Sequence, residues 1–187
     1  MAKILIAYAT DWGSTKKAAE AVAEGARRVA GTQVTLKNVE EVSADDLAGS
    51  DAVILGTPVH MGSPDWRVKK FIDQTCSPLW MKDAMVGKVG AVFATGSGFG
   101  NGGGGNELTL LALLSNFAEL GMLLVPLPKN TPGYALGGTQ WGPYGRSMGE
   151  HLEQTGLADD RLEAARHHGA NVARVAAALA GRSLLGG

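Results

Sequence analysis

The run Thr10-Asp11-Trp12-Gly13-Ser14-Thr15 holds three hydroxyls and one glycine in six positions. It stands between an apolar stretch, Ile4-Leu5-Ile6-Ala7-Tyr8, and a helical pattern that begins near Ser14. The start of a helix has backbone N–H groups with no partner inside the helix, and such groups attract an anion. Thr10, Ser14 and Thr15 add side-chain donors with little bulk, and Gly13 lets the backbone approach a ligand closely. This is the chemistry of a phosphate cradle. A triphosphate with its metal would call for Gly-x-x-x-x-Gly-Lys-Ser/Thr, and Lys16 and Lys17 stand in no such frame, so a metal-free monophosphate fits better. Taken alone, the six residues also suit an ordinary helix N-cap at Gly13-Ser14.

The elements that must position this turn follow from hydrophobic patterning. Strands are expected over residues 3–8, 33–38, 52–56, 89–95 and 122–127, and helices over roughly 14–30, 65–75, 106–120 and 160–180. Four of the strands are near-continuously apolar, as strands covered on both faces are, while Gln33-Val34-Thr35-Leu36-Lys37 alternates like an edge strand. Strand and helix alternate, which specifies an α/β fold: a doubly wound, five-stranded parallel sheet in three αβα layers, with strand order 2-1-3-4-5. At 187 residues the chain suits a single domain over 1–187. A ligand is expected where the exits of the first and third strands meet, at the carboxyl edge of the sheet. The stripe Leu108, Leu111, Leu114, Ser115, Ala118 reads as the core face of the third long helix.

Two further loops open at that edge. Gly56-Thr57-Pro58-Val59-His60-Met61-Gly62-Ser63 offers stiffened backbone suited to the polar rim of a flat heteroaromatic ring, with Gly56 and Gly62 allowing close approach. Thr95-Gly96-Ser97-Gly98-Phe99-Gly100 leads into a glycine run through Gly105, costly to order unless backbone touches a ligand or mobility is useful. Gly98, Gly100 and Gly103 satisfy Gly-x-Gly-x-x-Gly. They follow the fourth strand, in a run so dense that the match is nearly unavoidable, and no acidic residue ends a strand about 20 residues on. An α/β-hydrolase is disfavoured because Thr95 precedes Gly96-Ser97, and a phosphoacceptor receiver because the first and third strands end in Tyr8 and Gly56-Thr57.

Composition narrows the function classes. The formal net charge is −1 with both signs scattered, which argues against nucleic acid and against a polybasic membrane anchor. The lone cysteine, Cys76, has no partner for an internal disulfide and reads as a packing residue. With no apolar run of signal-peptide length at the start, the expected location is the cytoplasm. His60 is the one histidine among the three loops. It is a candidate catalytic residue, able to hydrogen-bond a ring oxygen or stabilise charge on a reduced ring, and equally a loop histidine bonded to backbone. His167 and His168 are adjacent on a helix and point apart, so no metal site is expected. Asp159, Asp160 and Glu163 mark the start of the last helix. Tyr134, Trp141 and Tyr144 lie in a Gly- and Pro-rich stretch, 128–148, and either cap their own core or wall a pocket at an oligomer contact.

These segments together resemble the flavodoxin-like superfamily, and within it the tryptophan-repressor-binding-protein type of FMN-dependent NAD(P)H:quinone oxidoreductase. The resemblance runs through Ala2–Tyr8, Thr10–Thr15, Ala21–Ala26, Gly56-Thr57-Pro58 with Phe71-Ile72-Asp73-Gln74-Thr75 and Leu79-Trp80, then Gly121-Met122 to Val125-Pro126, and Gly142-Pro143-Tyr144-Gly145. It implies FMN as cofactor, NADH or NADPH as donor and a quinone or similar acceptor. It implies that Thr10, Asp11, Trp12, Gly13, Ser14 and Thr15 hold the FMN phosphate. Pro58, Val59, His60 and Met61 would border the isoalloxazine, and Thr95, Gly96, Ser97, Gly98, Phe99 and Gly100 the ribityl and ring edge. Trp12 would lie near the nicotinamide and Trp80 near the quinone, with Tyr144 as a further substrate-side residue, in a homo-oligomer (dimer or tetramer). Two departures stand out: Glu119-Leu120 replace a His-His pair, removing an imidazole expected beside the flavin, and His60-Met61 replace Arg-Phe. The rival readings are a flavodoxin-type carrier of single electrons and a flavin-free scaffold of the same fold.

Overall fold

The unbroken apolar runs form the centre of one parallel sheet, seen in a computed structural model that describes residues 1–185. Strand β1 (Ala2–Tyr8) leads through α1 (Ser14–Arg27) to β2 (Thr32–Asn38). The short helix α2 (Ala44–Ala48) then leads to β3 (Ala52–His60). Strand β2 alternates in exposure and lies at the outer edge of the sheet. Strand β3 runs four residues past the expected end and folds back as the two-residue strand β4 (Ser63–Pro64).

Next come α3 (Trp66–Phe71), a π turn at Ile72–Cys76, and α4 (Ser77–Trp80), so the expected helix over 65–75 is longer and changes its winding. Strand β5 (Val89–Gly96) and helix α5 (Asn106–Glu119) follow. The fifth strand position is filled in two pieces. Strand β6 (Leu123–Leu124) lies beside Val89-Gly90, and β8 (Gly142–Arg146) beside Ala94–Gly96. The single strand expected over 122–127 stops early because Pro126 and Pro128 have no N–H to give, and the last ladder bond there is from Val125 to the Gly90 carbonyl. Between the pieces sit α6 (Tyr134–Gly137) and β7 (Gly138–Thr139), before a 3₁₀ turn at Asp159–Leu162 and α7 (Glu163–Leu179). The strand order 2-1-3-4-5 holds with this split fifth position, and β7 adds an antiparallel margin.

Helices α1 and α7 cover one face over Ile4, Ile6, Ile54 and Phe93. Helices α3, α4 and α5 cover the other over Leu5, Ala7, Val53, Leu55 and Val92. Helix α5 buries Thr109, Leu110, Leu113, Leu114 and Phe117, and Leu108 is 69% exposed, which corrects the expected stripe. That helix is apolar around much of its circumference, so spacing alone could not pick its inner face. Because the strands are parallel, α1, α3 and α5 all begin at the carboxyl edge of the sheet and run back towards the amino edge.

Candidate functional site

At the carboxyl edge a cavity of about 410 Å³ is lined by Thr10, Asp11, Trp12, Ser14, Thr15, Pro58, Val59, His60, Met61, Thr95, Gly96 and Ser97, with Ser147 and Met148. The three loops singled out in the sequence therefore converge on one space. Gly13 caps α1 at φ 87° and has no side chain to bond the first turn. The N–H of Gly13 donates to Thr10 Oγ1 (3.1 Å), and the first helical bond runs from the Lys17 N–H to the Gly13 carbonyl. The amides of Ser14, Thr15 and Lys16 stay open at the N-terminus of a 14-residue helix. The Thr15 and Thr95 hydroxyls, both buried, lie 2.7 Å apart and fasten this turn to the end of β5. A phosphate fits here on donors and dipole, since no Lys or Arg is among the lining residues.

The β3–β4 hairpin forms the opposite rim. Its two-residue loop has both members at positive φ, Met61 at 48° and Gly62 at 77°, as a hairpin matching the strand twist needs. Met61 is fully exposed at this tip. Gly62 packs on the glycine run, for a Cβ on Gly105 would stand 2.3 Å from the Gly62 Cα. Gly56 has a different reason from the one expected: a Cβ there would strike the Phe93 ring at 2.0 Å, so it is required by core packing and not by a ligand.

The cavity carries an ion-pair network at one side. His60 Nε2 lies 3.1 Å from Asp11 Oδ2, and His60 Nδ1 lies 3.7 Å from the fully buried Asp65. Arg67 binds both carboxylates, at 2.6 Å to Asp11 and 2.7 Å to Asp65. Burial opposes charge on Asp65, yet hydrogen bonds from the Arg67 guanidinium and backbone N–H outweigh it and hold the carboxyl below its ordinary range. The hydrogen bond to Asp65 likewise raises the Arg67 guanidinium against its own partial burial. Asp11, His60 and Asp65 bring ligand atoms within 4.8 Å of one another, but the guanidinium already occupies this cluster and competes with any cation. Asp65, Arg67, Ser147 and Met148 were not singled out in the sequence. Asp65 and Arg67 could have been read from an acidic N-cap at the start of α3, whereas Ser147 and Met148 arrive only through the split fifth strand.

Several expected site residues lie elsewhere. Gly98, Phe99 and Gly100 stand outside the cavity lining; the backbone of Gly103 packs where Gly98 would carry a side chain, and Arg146 stacks 4.2 Å over the Phe99 ring. Tyr144 is 1% exposed, its hydroxyl donates to the Gly98 carbonyl (3.3 Å), and burial pushes its pKa up to about 12, so within this chain it braces the glycine run. Trp80 lines a second cavity, of about 240 Å³, with Ile72, Cys76, Phe117, Glu119 and Leu120 at the amino edge. Leu120, the position of the missing imidazole, is therefore far from the phosphate turn of its own chain. Burial raises the Cys76 thiol to about 12, in keeping with a packing role.

Residues 5–96 match the family of flavodoxin domains. Over 97% of its length the chain is 35% identical to a NAD(P)H dehydrogenase (quinone) of Paraburkholderia phymatum, all of whose length is covered. It is 39% identical over 66% of its length to a flavodoxin of Aquifex aeolicus, covering 64% of that protein. Among solved structures, a flavodoxin, WrbA-like protein from Agrobacterium tumefaciens superposes with a TM-score of 0.69 at 28% identity, over 95% of this chain and 99% of that one.

Proposed function

The chain belongs to the flavodoxin-like family of NAD(P)H dehydrogenases (quinone), and from that premise we propose that the carboxyl-edge cavity is where it binds FMN and passes two electrons from NAD(P)H to a quinone or similar acceptor. The observation that carries the assignment is the open helix N-terminus at Gly13 ringed by Thr10, Ser14 and Thr15, donors suited to a terminal monophosphate. Bound here, FMN would supply the redox chemistry, hydride uptake and two-electron transfer. The chain's own residues bind and orient. Thr10, Ser14 and Thr15 donate to phosphate oxygens, and Pro58 to Met61 and Thr95 to Ser97 border the ring and ribityl chain. Trp12, 69% exposed at the mouth, offers a face for the nicotinamide to stack on. His60, held between Asp11 and Asp65, borders the ring from this rim.

Trp80 and Leu120 bear on the acceptor only in a homo-oligomer, where a second copy sets its amino-edge cavity against the first copy's mouth. Trp80 (46% exposed) and Met81 (73%) lie open on that edge and suit such a contact. We place the protein in the cytoplasm on its single, buried cysteine; no described helix is long and apolar enough to cross a membrane. The enzyme and carrier readings separate in one experiment: purified, FMN-loaded protein is given NAD(P)H with and without a quinone. Quinone-dependent NAD(P)H oxidation supports the oxidoreductase, and NAD(P)H oxidation no faster with a quinone than without one points to the carrier.

A further inference from the structure

Arg67 joins the phosphate turn to the start of α3 and holds the Asp11 carboxylate that meets the His60 hairpin. Its Nη1 donates to the Thr10 carbonyl (3.3 Å) and its Nη2 to Asp11 Oδ1 (2.6 Å) and Asp65 Oδ2 (2.7 Å), while Nε donates to Asp65 Oδ1 (2.8 Å). Thr10 and Asp11 open the phosphate turn. Asp65 is 0% exposed, caps α3 by accepting the Arg67 N–H (2.8 Å), and donates its own N–H to the buried Thr57 hydroxyl (2.9 Å). Three of the four carboxylate oxygens thus face the guanidinium. The fourth, Asp11 Oδ2, faces His60 Nε2 at 3.1 Å, and His60 stands at the base of the hairpin loop.

A planar fork fixes the relative positions of its partners, because its donors point in set directions and each bond is charge-assisted. Asp65 in turn is locked by burial, since an uncompensated carboxylate there is costly. The phosphate turn has no cation in its lining, so Arg67 acts on it through the Thr10 carbonyl and the Asp11 carboxylate.

We propose that Arg67 is a positioning residue that makes the phosphate turn and the His60 hairpin order as one unit, so that an anion seated at the turn fixes the imidazole at the other rim. The inference rests on the reading that the turn holds the FMN phosphate. It adds a coupling between the two ends of the cofactor site and assigns it to a residue that touches no cofactor.

Hydrogen exchange on the full flavin-free chain, with and without inorganic phosphate, tests the coupling without any catalytic readout. In the wild type, phosphate protects amides of 13–16 and also those of 60–63. In Arg67→Lys, which keeps the charge and loses the fork, the turn is still protected and the hairpin is not. Hairpin protection that persists in Arg67→Lys, or a wild-type hairpin indifferent to phosphate while the turn responds, overturns the proposal. A wild-type turn that phosphate leaves unprotected strikes the phosphate assignment itself and the coupling with it. FMN titration gives a second measure that survives if Arg67→Lys loosens the fold. Arg67→Lys is expected to weaken FMN about tenfold in the wild-type background but only about threefold where His60 is already Ala, since coupled sites are not additive. Equal losses in the two backgrounds would overturn it.

Discussion

The carboxyl-edge cavity sets a row of hydroxyls and the His60–Asp11 pair beside Trp12, Val59, Met61 and Met148, while the amino-edge cavity sets Ile72, Cys76, Trp80, Phe117 and Leu120 beside Asp73, Ser77, Asn116 and Glu119. The first lies where parallel strands release their loops, so residues far apart in sequence arrive together. The second lies where helices end. Helix α5 has 14 residues, so Leu120 stands about 21 Å from the helix start at the carboxyl edge. A residue that directly follows a strand is placed by topology alone. One that follows a helix is placed by that helix's length, and here the length carries it to the other edge. Within one chain the two cavities are separate, one at each edge of the sheet.

The sharpest way to separate them is to remove the phosphate donors. Ser14→Ala with Thr15→Ala deletes two charge-assisted hydrogen bonds of about 1.5–3 kcal/mol each. FMN affinity should fall at least a hundredfold in a fluorescence titration, and riboflavin, which lacks the phosphate, should bind nearly as before. Trp80→Ala should leave FMN within twofold of wild type. If Trp80→Ala matched the loss at the turn, the amino edge would be part of the cofactor site and the comparison would collapse.

Acid sensitivity belongs to neither edge. His168 on α7 is fully buried with both ring nitrogens unpartnered, and burial pushes its pKa down to about 4. The unfolded chain takes up this proton near 6.5 and the folded one does not, so the unfolded state binds more protons at intermediate pH. This contribution is fully present above about pH 6.5 and is lost as pH falls from there towards 4, on the order of 2 kcal/mol at pH 5. Urea unfolding of wild type and His168→Met between pH 7.5 and 5 checks it: the wild type should lose stability and the variant should be flatter. Equal slopes would remove His168 as the cause. Binding at the two edges is best compared above pH 6.5, where this effect is silent.

Trp80→Ala should raise the apparent KM for a quinone about three- to tenfold, the scale of one aromatic stacking contact, with flavin content unchanged. This depends on a second copy bringing the amino edge to the flavin. An unchanged KM would confine the acceptor to the carboxyl edge and to Trp12.

The sheet order and the place of the Thr10–Thr15 turn at the carboxyl edge were legible because apolar runs and a hydroxyl-rich strand-to-helix junction are local signals. Of the expected stretches, Thr10–Thr15 except Gly13 and all of Pro58–Met61 line one cavity, but of Thr95–Gly100 only Thr95, Gly96 and Ser97 do. What could not be read was non-local. Pro126 and Pro128 split the fifth strand, and only the fold shows Gly142–Arg146 completing it. Tyr144 proved to brace Gly98, and Gly56 to answer to Phe93. The Arg67 network joins residues 10, 11, 60 and 65, and no spacing rule links them.

The smallest expected effect lies at Met61, where the hairpin holds a non-glycine residue in the left-handed region at φ 48° with its side chain wholly in solvent. That backbone costs Met of order 1 kcal/mol more than it costs Asn, whose short side chain tolerates the conformation. Met61→Asn should therefore stabilise the flavin-free protein by about 0.5 kcal/mol in urea unfolding. If the side chain is kept at this strained tip because it covers a face of the bound ring, the same substitution should weaken FMN two- to fivefold, the loss of a single sulfur–aromatic contact of about 0.5–1 kcal/mol. A gain in stability with no loss of FMN would make Met61 a bystander and narrow the carboxyl edge to its polar groups. No gain in stability would mean that the hairpin tip carries no strain for the substitution to release, and the difference between the rims would then rest on the Arg67 network alone.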